Sequence, residues 1–531
     1  MNLNKLVTSL MQINDFNELN NQSNKYTLGI AENAKIISYS ILQHKLKKNL
    51  AIITSNEDKA KEVFEILQYY SLNKIIYLPA HNHLPFEHKQ WSKKIEMERI
   101  NSLSLISKQE NARHSIVMSI NGAMQKTISP NLLNNYTIDI HLNDVMEIFE
   151  MAKNLVSIGY ESTNIVSQRG EFVKRGGVVD IFPINTLNPI RIEFENNIII
   201  SIRSFFSESQ RTIEKIDSVS ILPRKEWFLD EKKIFNKQKN IKRFFKDYPE
   251  IIGPSTSTHT ALDFIEKDNL LVIDEPKDIE TFIHEQQNFI NERKNSSDDI
   301  KFLKIDPASP SISHKEYKSK IVSFKKHIYI ERWAIDGKNK IRLPFYEQEI
   351  FFKNLNQFVE KIISKFFANE TTIIISQQAQ RITELLNELG QNITVNKDIL
   401  TQLKTKKIQV IQGNLPNGYI FETKLKKINV ITDKEIFGYK QEKRITSKSI
   451  PKILDSIIEG NFVVHQDYGI ARFLGLVKKN ISNKNEEYLE LQFADNDKIY
   501  LPIIQINKLT KYIASSNNIP KLSTLNSNRW L

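Results

Sequence analysis

Cysteine is absent from all 531 residues of this chain. Its absence excludes disulfide bonds, a thiol nucleophile, zinc–thiolate centres and iron–sulfur clusters. The sequence also lacks an uninterrupted apolar run of about 18 residues, the length that a membrane-spanning helix needs, and its first residues lack the basic and apolar segments of a secretion signal. These absences predict a cytoplasmic protein without a membrane partner.

A complete phosphate-binding loop is also missing. The nearest approach is Gly29–Lys35, but the motif G-x-x-x-x-G-K-[ST] needs a glycine where Ala34 stands and a hydroxyl where Ile36 stands. Asp274 and Glu275 end an apolar stretch, as the magnesium-binding acids of an NTPase would. Without the loop, this acidic pair is predicted to be a solvated turn.

Histidine and serine patterns give no catalytic or metal site. His81, His83 and His88 lack the helical i, i+4 spacing of a metal-binding pair and are predicted to lie in a loop. No G-x-S-x-G elbow is present, and no pair of carboxylates stands out as an acid and a base. The sequence therefore predicts no catalytic, cofactor-binding or metal-binding residues.

Basic residues outnumber acidic ones, with 74 Lys and Arg against 62 Asp and Glu, a net charge of +12. This excess predicts weak, salt-sensitive binding of duplex DNA without sequence preference, because phosphates are attracted by a positive field. The alternative is a compositional bias in lysine that is spread over the whole chain. Composition alone leaves both interpretations open.

Periodicity divides the chain into several domains. Apolar strands at 50–53, 75–78 and 116–118 alternate with helices, one of them capped by Ser55 and Asp58, which predicts a parallel α/β sheet. A helix that opens at Asn143 is predicted to bury one apolar face and to end at Gly159. The residues predicted to form that face are Val145, Ile148, Phe149, Ala152, Leu155 and Val156.

The remaining chain changes period twice. Strands at 178–182, 190–194 and 198–205 alternate in a period of two and predict an antiparallel α+β domain. Strands at 371–375 and 428–431 flank a helix that ends at Gly390, which predicts a small α/β domain. Short alternating strands from Gly460 onward predict a small β-barrel.

One long segment resembles a known family. Residues 169–183, RGEFVKRGGVVDIFP, closely resemble a segment shared by the excision-repair protein UvrB and the bacterial transcription-repair coupling factor. The match continues through RIEF, SIRSF and SQRT at 191–194, 201–205 and 209–212, and LPF at 84–86 and NGAMQK at 121–126 look like the family's first domain. ITDKEIFG at 431–438 and GNFVVHQDYGIARFLGL at 460–476 resemble the coupling factor and not UvrB.

The resemblance implies a multidomain α/β and α+β fold built around a UvrB-like parallel-sheet module with a degenerate RecA-type core. It implies a further small α/β domain and a C-terminal SH3/Tudor-like β-barrel of the CarD type. The implied UvrB-like module has three domains: 1a at 1–128, domain 2 at 129–222, which is of the UvrA-binding type, and 1b at 223–340. The other implied boundaries are 345–446 for the small α/β domain, 455–515 for the barrel and 516–531 for a C-terminal tail.

Two sets of partner-binding residues follow from the resemblance. Arg169, Arg175 and Phe182 match positions of the UvrA-binding surface, although a core position for Phe182 stays open as an alternative. Glu161 stands where relatives carry an arginine, which reverses a charge near that surface. The set that would bind the RNA polymerase β subunit by pairing of an edge strand is Arg472, Phe473, Leu474 and Leu476.

Alternation along that strand limits the polymerase-binding set. Phe473 and Leu474 point to opposite faces, so one of them is expected in the core, and Leu476 is the preferred interface residue.

The family's motor requires ATP and magnesium, and the resemblance places it in RecA-like domains that this sequence does not contain. We therefore expect no ATP hydrolysis and no cofactor on this chain. Three functions follow: an adaptor that binds stalled polymerase and recruits UvrA, one half of a DNA translocase whose motor is on another polypeptide, and a degenerate remnant.

Overall fold

The computed structural model divides the chain into two compact units, Met1–Gly438 and Tyr439–Leu531. Each unit is described by itself. The residues that the structure describes are 3–11, 25–71, 73–81, 92–108, 113–228, 257–296, 310–332, 340–351, 355–388, 390, 393–396, 408–424, 426–438, 459–465, 468–481, 484–494, 497–502, 509–511 and 522–524.

Strands and helices alternate through the first unit, whereas the regular elements described in the second unit are strands. The described strands are β1 (Lys25–Gly29), β2 (Leu50–Thr54), β3 (Lys74–Leu78), β4 (His114–Ser119), β5 (Ile138–His141), β6 (Glu161–Ser162), β7 (Glu171–Arg175), β8 (Val178–Ile181), β9 (Ile190–Glu195), β10 (Ile198–Phe205), β11 (Thr212–Lys215), β12 (Ser218–Ile221), β13 (Leu270–Asp274), β14 (Lys326–Glu331), β15 (Lys340–Arg342), β16 (Phe345–Glu347), β17 (Thr371–Ser376), β18 (Val395–Asn396), β19 (Ile408–Gln412), β20 (Tyr419–Glu422), β21 (Lys427–Thr432), β22 (Phe462–His465), β23 (Gly469–Ile481), β24 (Lys484–Gln492), β25 (Lys498–Pro502) and β26 (Leu509–Lys511). The described helices are α1 (Asn4–Met11), α2 (Lys35–Leu46), α3 (Glu57–Tyr70), α4 (Lys93–Ser107), α5 (Ile120–Met124), α6 (Pro130–Tyr136), α7 (Ile148–Ser157), α8 (Pro276–Ser296), α9 (His314–Val322), α10 (Leu355–Phe367), α11 (Ala379–Glu388) and α12 (Asp433–Phe437).

The first sheet has seven strands in the order β15-β1-β14-β13-β2-β4-β3, and all of its pairings are parallel. Its central strands β2, β4 and β13 are buried along their whole length, as expected for a parallel sheet covered on both faces. The predicted parallel α/β sheet is confirmed. Strands from the ranges 1–128 and 223–342 form this one sheet together.

Helix α3 shows how local sequence sets an element boundary. Its N-cap is Asn56, whose side chain accepts the backbone N–H of Lys59, and the helix begins at Glu57. The predicted cap at Ser55 was one residue early. Asn and Ser both cap well, so composition did not distinguish them.

The second sheet has the order β11-β10-β9-β8-β7-β6, and its pairings are antiparallel except between β6 and β7. Asn196 and Asn197 have positive φ angles in the hairpin turn between β9 and β10, as a two-residue turn requires. Helix α7 covers this sheet with its buried residues Met151 and Leu155. The predicted antiparallel strands are confirmed.

The third sheet, in the order β16-β20-β21-β17-β19-β18, forms the small α/β part of the first unit. Its pairings among β21, β17, β19 and β18 are parallel, whereas β16 and β20 add antiparallel pairings. Its residues Tyr419 and Phe421 share a core with Leu28 and Tyr70 of the first sheet region. Gly390 has a φ of +82° just beyond α11, as predicted for a helix stop.

The second unit is a five-stranded antiparallel sheet in the order β25-β24-β23-β22-β26. Its core contains the buried residues Val463, Phe473, Leu489, Leu491 and Phe493. Closure of this sheet into an SH3/Tudor-like barrel stays a prediction, because the described pairings leave β25 and β26 as its outer strands.

Within the described part of the chain, no helix is both long and apolar enough to cross a bilayer.

Candidate functional site

Arg169 and Phe182 lie together at one end of the β7–β8 hairpin. The Arg169 guanidinium carbon is 5.9 Å from the centre of the Phe182 ring, and its Nε donates to the Thr186 carbonyl at 3.1 Å. Arg169 is exposed and Phe182 is half-buried. Planar guanidinium and ring groups on a surface suit protein recognition, so this pair is a candidate contact point.

Arg175 lies at the opposite end of β7. It is exposed, and its guanidinium donates to the Asn164 carbonyl. Glu171 lies four residue steps away along the extended strand, or about 13 Å at 3.3 Å per residue. The structure therefore places the three predicted UvrA-binding residues at two separate points of one strand pair.

Glu161 is neutralised by two basic side chains. Its Oε1 lies 2.8 Å from Arg224 Nη1 and 3.1 Å from Lys93 Nζ. Hydrogen bonds from Lys93 and Arg224 hold the pKa of Glu161 below its usual range. The expected charge reversal near this surface is compensated locally, because Arg224 supplies a guanidinium beside the carboxylate.

Exposed apolar side chains, which the sequence reading missed, cover part of the same region. Helix α7 begins at Ile148, not at Asn143, and Phe149 and Val156 are 66% and 57% exposed. The backbone N–H of Asn143 instead donates to the Ile199 carbonyl at 2.9 Å, and this leaves Val145 exposed. The predicted buried face of this helix was wrong at these three apolar positions. The Lys174 ammonium lies 3.8 Å from the centre of the Phe149 ring.

In the second unit, one side of strand β23 has no partner strand over part of its length among the described residues. We call this side the open half-edge of β23. β24 pairs with it along Arg472–Ile481, but β22 pairs with it only as far as Arg472. Beyond that point, Phe473 donates to the Asn461 carbonyl and accepts from Gly460. Among the described residues, the backbone from Leu474 onward has a strand on one side only. Such an edge can pair with a strand of another chain.

The four predicted polymerase-binding side chains divide between surface and core. Phe473 is 3% exposed, and its backbone groups are already paired, so it supports the core and presents nothing to a partner. This corrects its predicted role. Arg472 is exposed and Leu474 is half-buried at a β-bulge, while Leu476 is 47% exposed. Leu476 is the register partner of the core residue Leu489 on β24. It lies at the end of this cross-strand row where no further strand is described.

The carboxyl ends of the first sheet's strands, where parallel sheets commonly bind ligands, hold a buried ion cluster. Lys35 Nζ lies 2.8 Å from Glu32, 3.2 Å from Asp274 and 2.5 Å from Glu275. Arg332 joins from the far side, with Nη2 2.9 Å from Glu32. Asp274 is only 6% exposed, so the predicted solvated turn was wrong. Its partner Lys35 is the first residue of α2, 239 positions away in the sequence, which sequence spacing could not indicate.

Three carboxylates surround the Lys35 ammonium in this cluster. Burial acts to lower the pKa of Lys35, but the fields of Asp274 and Glu32 outweigh it and raise that pKa above its usual value. Burial raises the pKa of Asp274 although Lys35 opposes this. The adjoining cavity measures about 70 Å³.

His81 lies outside the helices and strands, as predicted, and is buried in a second polar cluster. Its Nε2 is 2.9 Å from Glu226 Oε2, and Arg99 Nε donates to the other carboxylate oxygen at 2.9 Å. Burial would raise the pKa of Glu226, but Arg99 and His81 lower it to about 2. His83 and His88 lie outside the described residues. Metal-binding groups of three or more His, Asp or Glu do not occur in the described part of the chain.

Two family models each match one region of the chain, and individual relatives align with nearly all of it. A family model for the UvrB interaction domain matches residues 138–227, and one for the CarD-like/TRCF RID domain matches residues 457–513. The transcription-repair-coupling factors of Staphylococcus haemolyticus and Bacillus subtilis are each 24% identical, covering 94% of this chain and 46% of the relative. That of Staphylococcus aureus strain RF122 is 23% identical, covering 99% and 48%.

These matches confirm the resemblance that the sequence motifs indicated. The first matched region contains the exposed side chains of Arg169, Arg175 and Phe149. The second contains the open half-edge of β23. The chain spans about half the length of the curated relatives it matches.

Proposed function

We propose that this chain is an adaptor of transcription-coupled nucleotide-excision repair that binds the β subunit of RNA polymerase and recruits UvrA. The observation that carries the proposal is the presence, in one chain, of a UvrB interaction domain and a CarD-like/TRCF RID domain. Each domain exposes a surface suited to a protein partner, and each surface lies within the matched residues.

On the polymerase side, the proposed contact is strand addition to β23. A partner strand laid along the backbone from Leu474 would gain main-chain hydrogen bonds on the open side. Leu476 would give the contact its side-chain anchor, because it is half-exposed and continues the row formed by Leu489 and Leu501. Burying a leucine of this kind contributes roughly 1–2 kcal/mol to binding.

Biolayer interferometry with the immobilised full chain and the N-terminal part of polymerase β tests this contact. Leu476→Arg should weaken binding at least tenfold, because a charge would be buried against the added strand. Tyr500→Arg is the control, since Tyr500 is exposed on β25, two strands away from the open side of β23. Absence of binding by the unaltered chain, or equal weakening by both variants, contradicts the proposed contact.

On the UvrA side, the proposed contact includes Arg175 and the Arg169–Phe182 pair. Arg175→Glu should weaken UvrA binding at least tenfold in the same assay, because a guanidinium is replaced by a carboxylate at an exposed recognition point. Arg211→Glu is the matched control on the same domain, in an exposed segment before β11. A loss that is equal in both variants would show a general charge effect and would contradict a role for Arg175.

ATP-driven DNA translocation is a second candidate, favoured by the greater length of the relatives. We propose that the residues of this chain contribute no hydrolysis to it, since Lys35 is neutralised by its own carboxylates. A DNA-stimulated ATPase assay of the purified chain should show no turnover. Turnover that Asp274→Asn abolishes would overturn this part of the proposal.

A further inference from the structure

Basic residues recur at the amino ends of the first sheet's strands. Every one of the seven strands begins with Lys or Arg or has one within the three preceding residues. Asp268 is the single acid in those positions among the described residues. The basic residues are Lys25, Lys47, Lys48, Lys74, Arg113, Lys267, Lys325, Lys326 and Lys340.

Parallel pairing brings these strand starts to one edge of the sheet. Lys326, Leu270 and Leu50 are register partners on adjacent strands, and Leu50 pairs onward with Ser115. Seven strands at about 4.8 Å spacing give an edge roughly 29 Å long. The basic residues are therefore distributed along a row and are not gathered at one point.

The opposite edge carries both signs of charge. At the carboxyl ends of the strands, the chain places the acids Glu32, Glu57, Asp274, Glu275 and Glu331 together with the basic residues Lys35, Arg332 and Arg342. Several of these groups pair with one another in the Lys35 cluster described above. The amino edge is therefore the more strongly cationic of the two.

Neighbouring cations at the amino edge perturb one another. Lys48 and Lys325 both contact the single carboxylate of Asp268. Burial lowers the pKa of Lys326, and the positive charge of Lys48 lowers it further. Burial and the charge of Arg113 lower the pKa of His44 in the same way. One aspartate does not neutralise these groups.

Helix C-termini account for only part of this charge. Helices α2, α3, α4 and α9 end just before strands of the sheet, and each carries about half a negative charge at its C-terminus. Lys267 is also engaged internally, since its Nζ donates to the Leu262 carbonyl at 2.8 Å and lies over the Phe324 ring. Lys47, Lys48, Lys74, Arg113 and Lys325 are exposed or half-buried.

We propose that this amino edge is a docking surface for duplex DNA, held through its phosphates without readout of bases. An edge of roughly 29 Å matches about eight base pairs at 3.4 Å each. Stacking on single-stranded bases needs exposed aromatic rings. The rings described at this edge, Tyr26 and Phe324, are buried. The proposal is independent of the adaptor function, because it needs neither polymerase nor UvrA.

Fluorescence anisotropy with the full chain and a labelled 20-base-pair duplex tests the proposal. The test variant combines Lys48→Gln, Lys74→Gln, Arg113→Gln and Lys325→Gln, all replacing partly or fully exposed side chains. The control variant removes the same number and kind of charges elsewhere, through Lys153→Gln, Arg211→Gln, Lys215→Gln and Lys277→Gln. Circular dichroism establishes that both variants are folded.

With about five phosphate contacts, the unaltered chain should show a log–log salt slope of about −4.5. The test variant should bind at least tenfold more weakly at 100 mM KCl, with a slope shallower by about 3.6, because four charges are removed. The control should change less than threefold, and duplexes of unrelated sequence should bind equally. Equal loss in both variants, or a flat salt response, overturns the proposal. Tighter binding of single-stranded RNA or of anionic phosphatidylserine vesicles than of duplex DNA also overturns it.

Discussion

At the scale of single residues, Lys35 carries the clearest chemical information in the first unit. Its position in the chain is that of a phosphate-binding lysine, but its ammonium is surrounded by three carboxylates from the same molecule. Buried groups of this kind stabilise the fold only as a set, because removal of one partner leaves the others uncompensated. The loop after β1 and the end of β13 are held together by this set.

Lys35→Met should therefore lower the free energy of unfolding by roughly 3 kcal/mol or more, measured by urea denaturation. The loss should be greater at pH 8 than at pH 5, because acid protonates the carboxylates that the substitution leaves uncompensated. Lys59→Met is the control: its ion pair with Asp278 is exposed and should contribute less than about 1 kcal/mol. Equal losses in the two variants would show that the cluster is not a buried set.

Glu96 predicts a pH dependence of stability. Burial raises its pKa to about 7, although its carboxylate accepts the Glu226 backbone N–H at 2.9 Å. The folded chain then binds a proton more tightly than the unfolded chain, whose Glu96 titrates near 4.3. Stability should fall, by on the order of 2 kcal/mol, as the pH rises from about 4.3 to 7.

Glu96→Gln should flatten this part of the pH–stability curve, and urea denaturation at pH 5, 6 and 7 measures it. Glu98→Gln is the control on the same helix, at an exposed position. An unchanged pH dependence in Glu96→Gln would contradict the proposed origin.

The polymerase-binding residues show what sequence does and does not determine at this scale. Alternation predicted that either Phe473 or Leu474 is in the core, and the structure buries Phe473. Leu476, the preferred interface residue, is 47% exposed, although the β-bulge between Phe473 and Gly475 interrupts the alternation before it. The pairing of Phe473 with Asn461 and Gly460 was not predictable, because it depends on where β22 ends.

At the scale of elements, helix α7 shows why an apolar pattern can mislead. Six apolar residues at helical spacing predicted one buried face, but the sheet beneath the helix covers only the side that carries Met151 and Leu155. The helix is amphipathic with a second, exposed apolar strip. Periodicity identifies a helix and its possible faces, whereas the neighbouring element decides which face is buried.

Two adjacent residues of α7 test this distinction. Leu155→Ala should cost about 3 kcal/mol of unfolding free energy, because Leu155 is 0% exposed and its loss leaves a cavity. Val156→Ala should cost less than about 0.5 kcal/mol, since that side chain is largely exposed. Thermal and urea unfolding measure both, and comparable losses would contradict the observed face.

Elements with strong local signals were predicted well. Apolar runs predicted the strands at 50–53 and 198–205, which are present. The predicted helix end at Gly159 is also present, and this glycine has the positive φ expected there. The predicted start of α7 at Asn143 was wrong because Asn143–Met146 contacts β10, and this tertiary pairing overrides the helical pattern.

At the scale of the whole molecule, the arrangement of sheets was the least predictable feature. Strands β13 and β14 enter the first sheet between β1 and β2, after an intervening domain of more than 80 residues. No local pattern determines such a long-range pairing. The resemblance to coupling factors supplied the domain order, whereas the buried Lys35 cluster required coordinates.

The two compact units divide the proposed partners between them. Unit Met1–Gly438 contains the UvrB interaction domain, and unit Tyr439–Leu531 contains the whole CarD-like/TRCF RID match. An adaptor requires that both surfaces act in one molecule at the same time. Binding of one partner should therefore leave the affinity for the other at least unchanged.

Mass photometry of the full chain mixed with RNA polymerase and UvrA tests the adaptor claim most directly. The account predicts a particle with the summed mass of all three proteins. It also predicts that Leu476→Arg removes the polymerase and that Arg175→Glu removes UvrA from this particle. Binary complexes that exclude each other, or no complex with either partner by a folded chain, would contradict the proposed function.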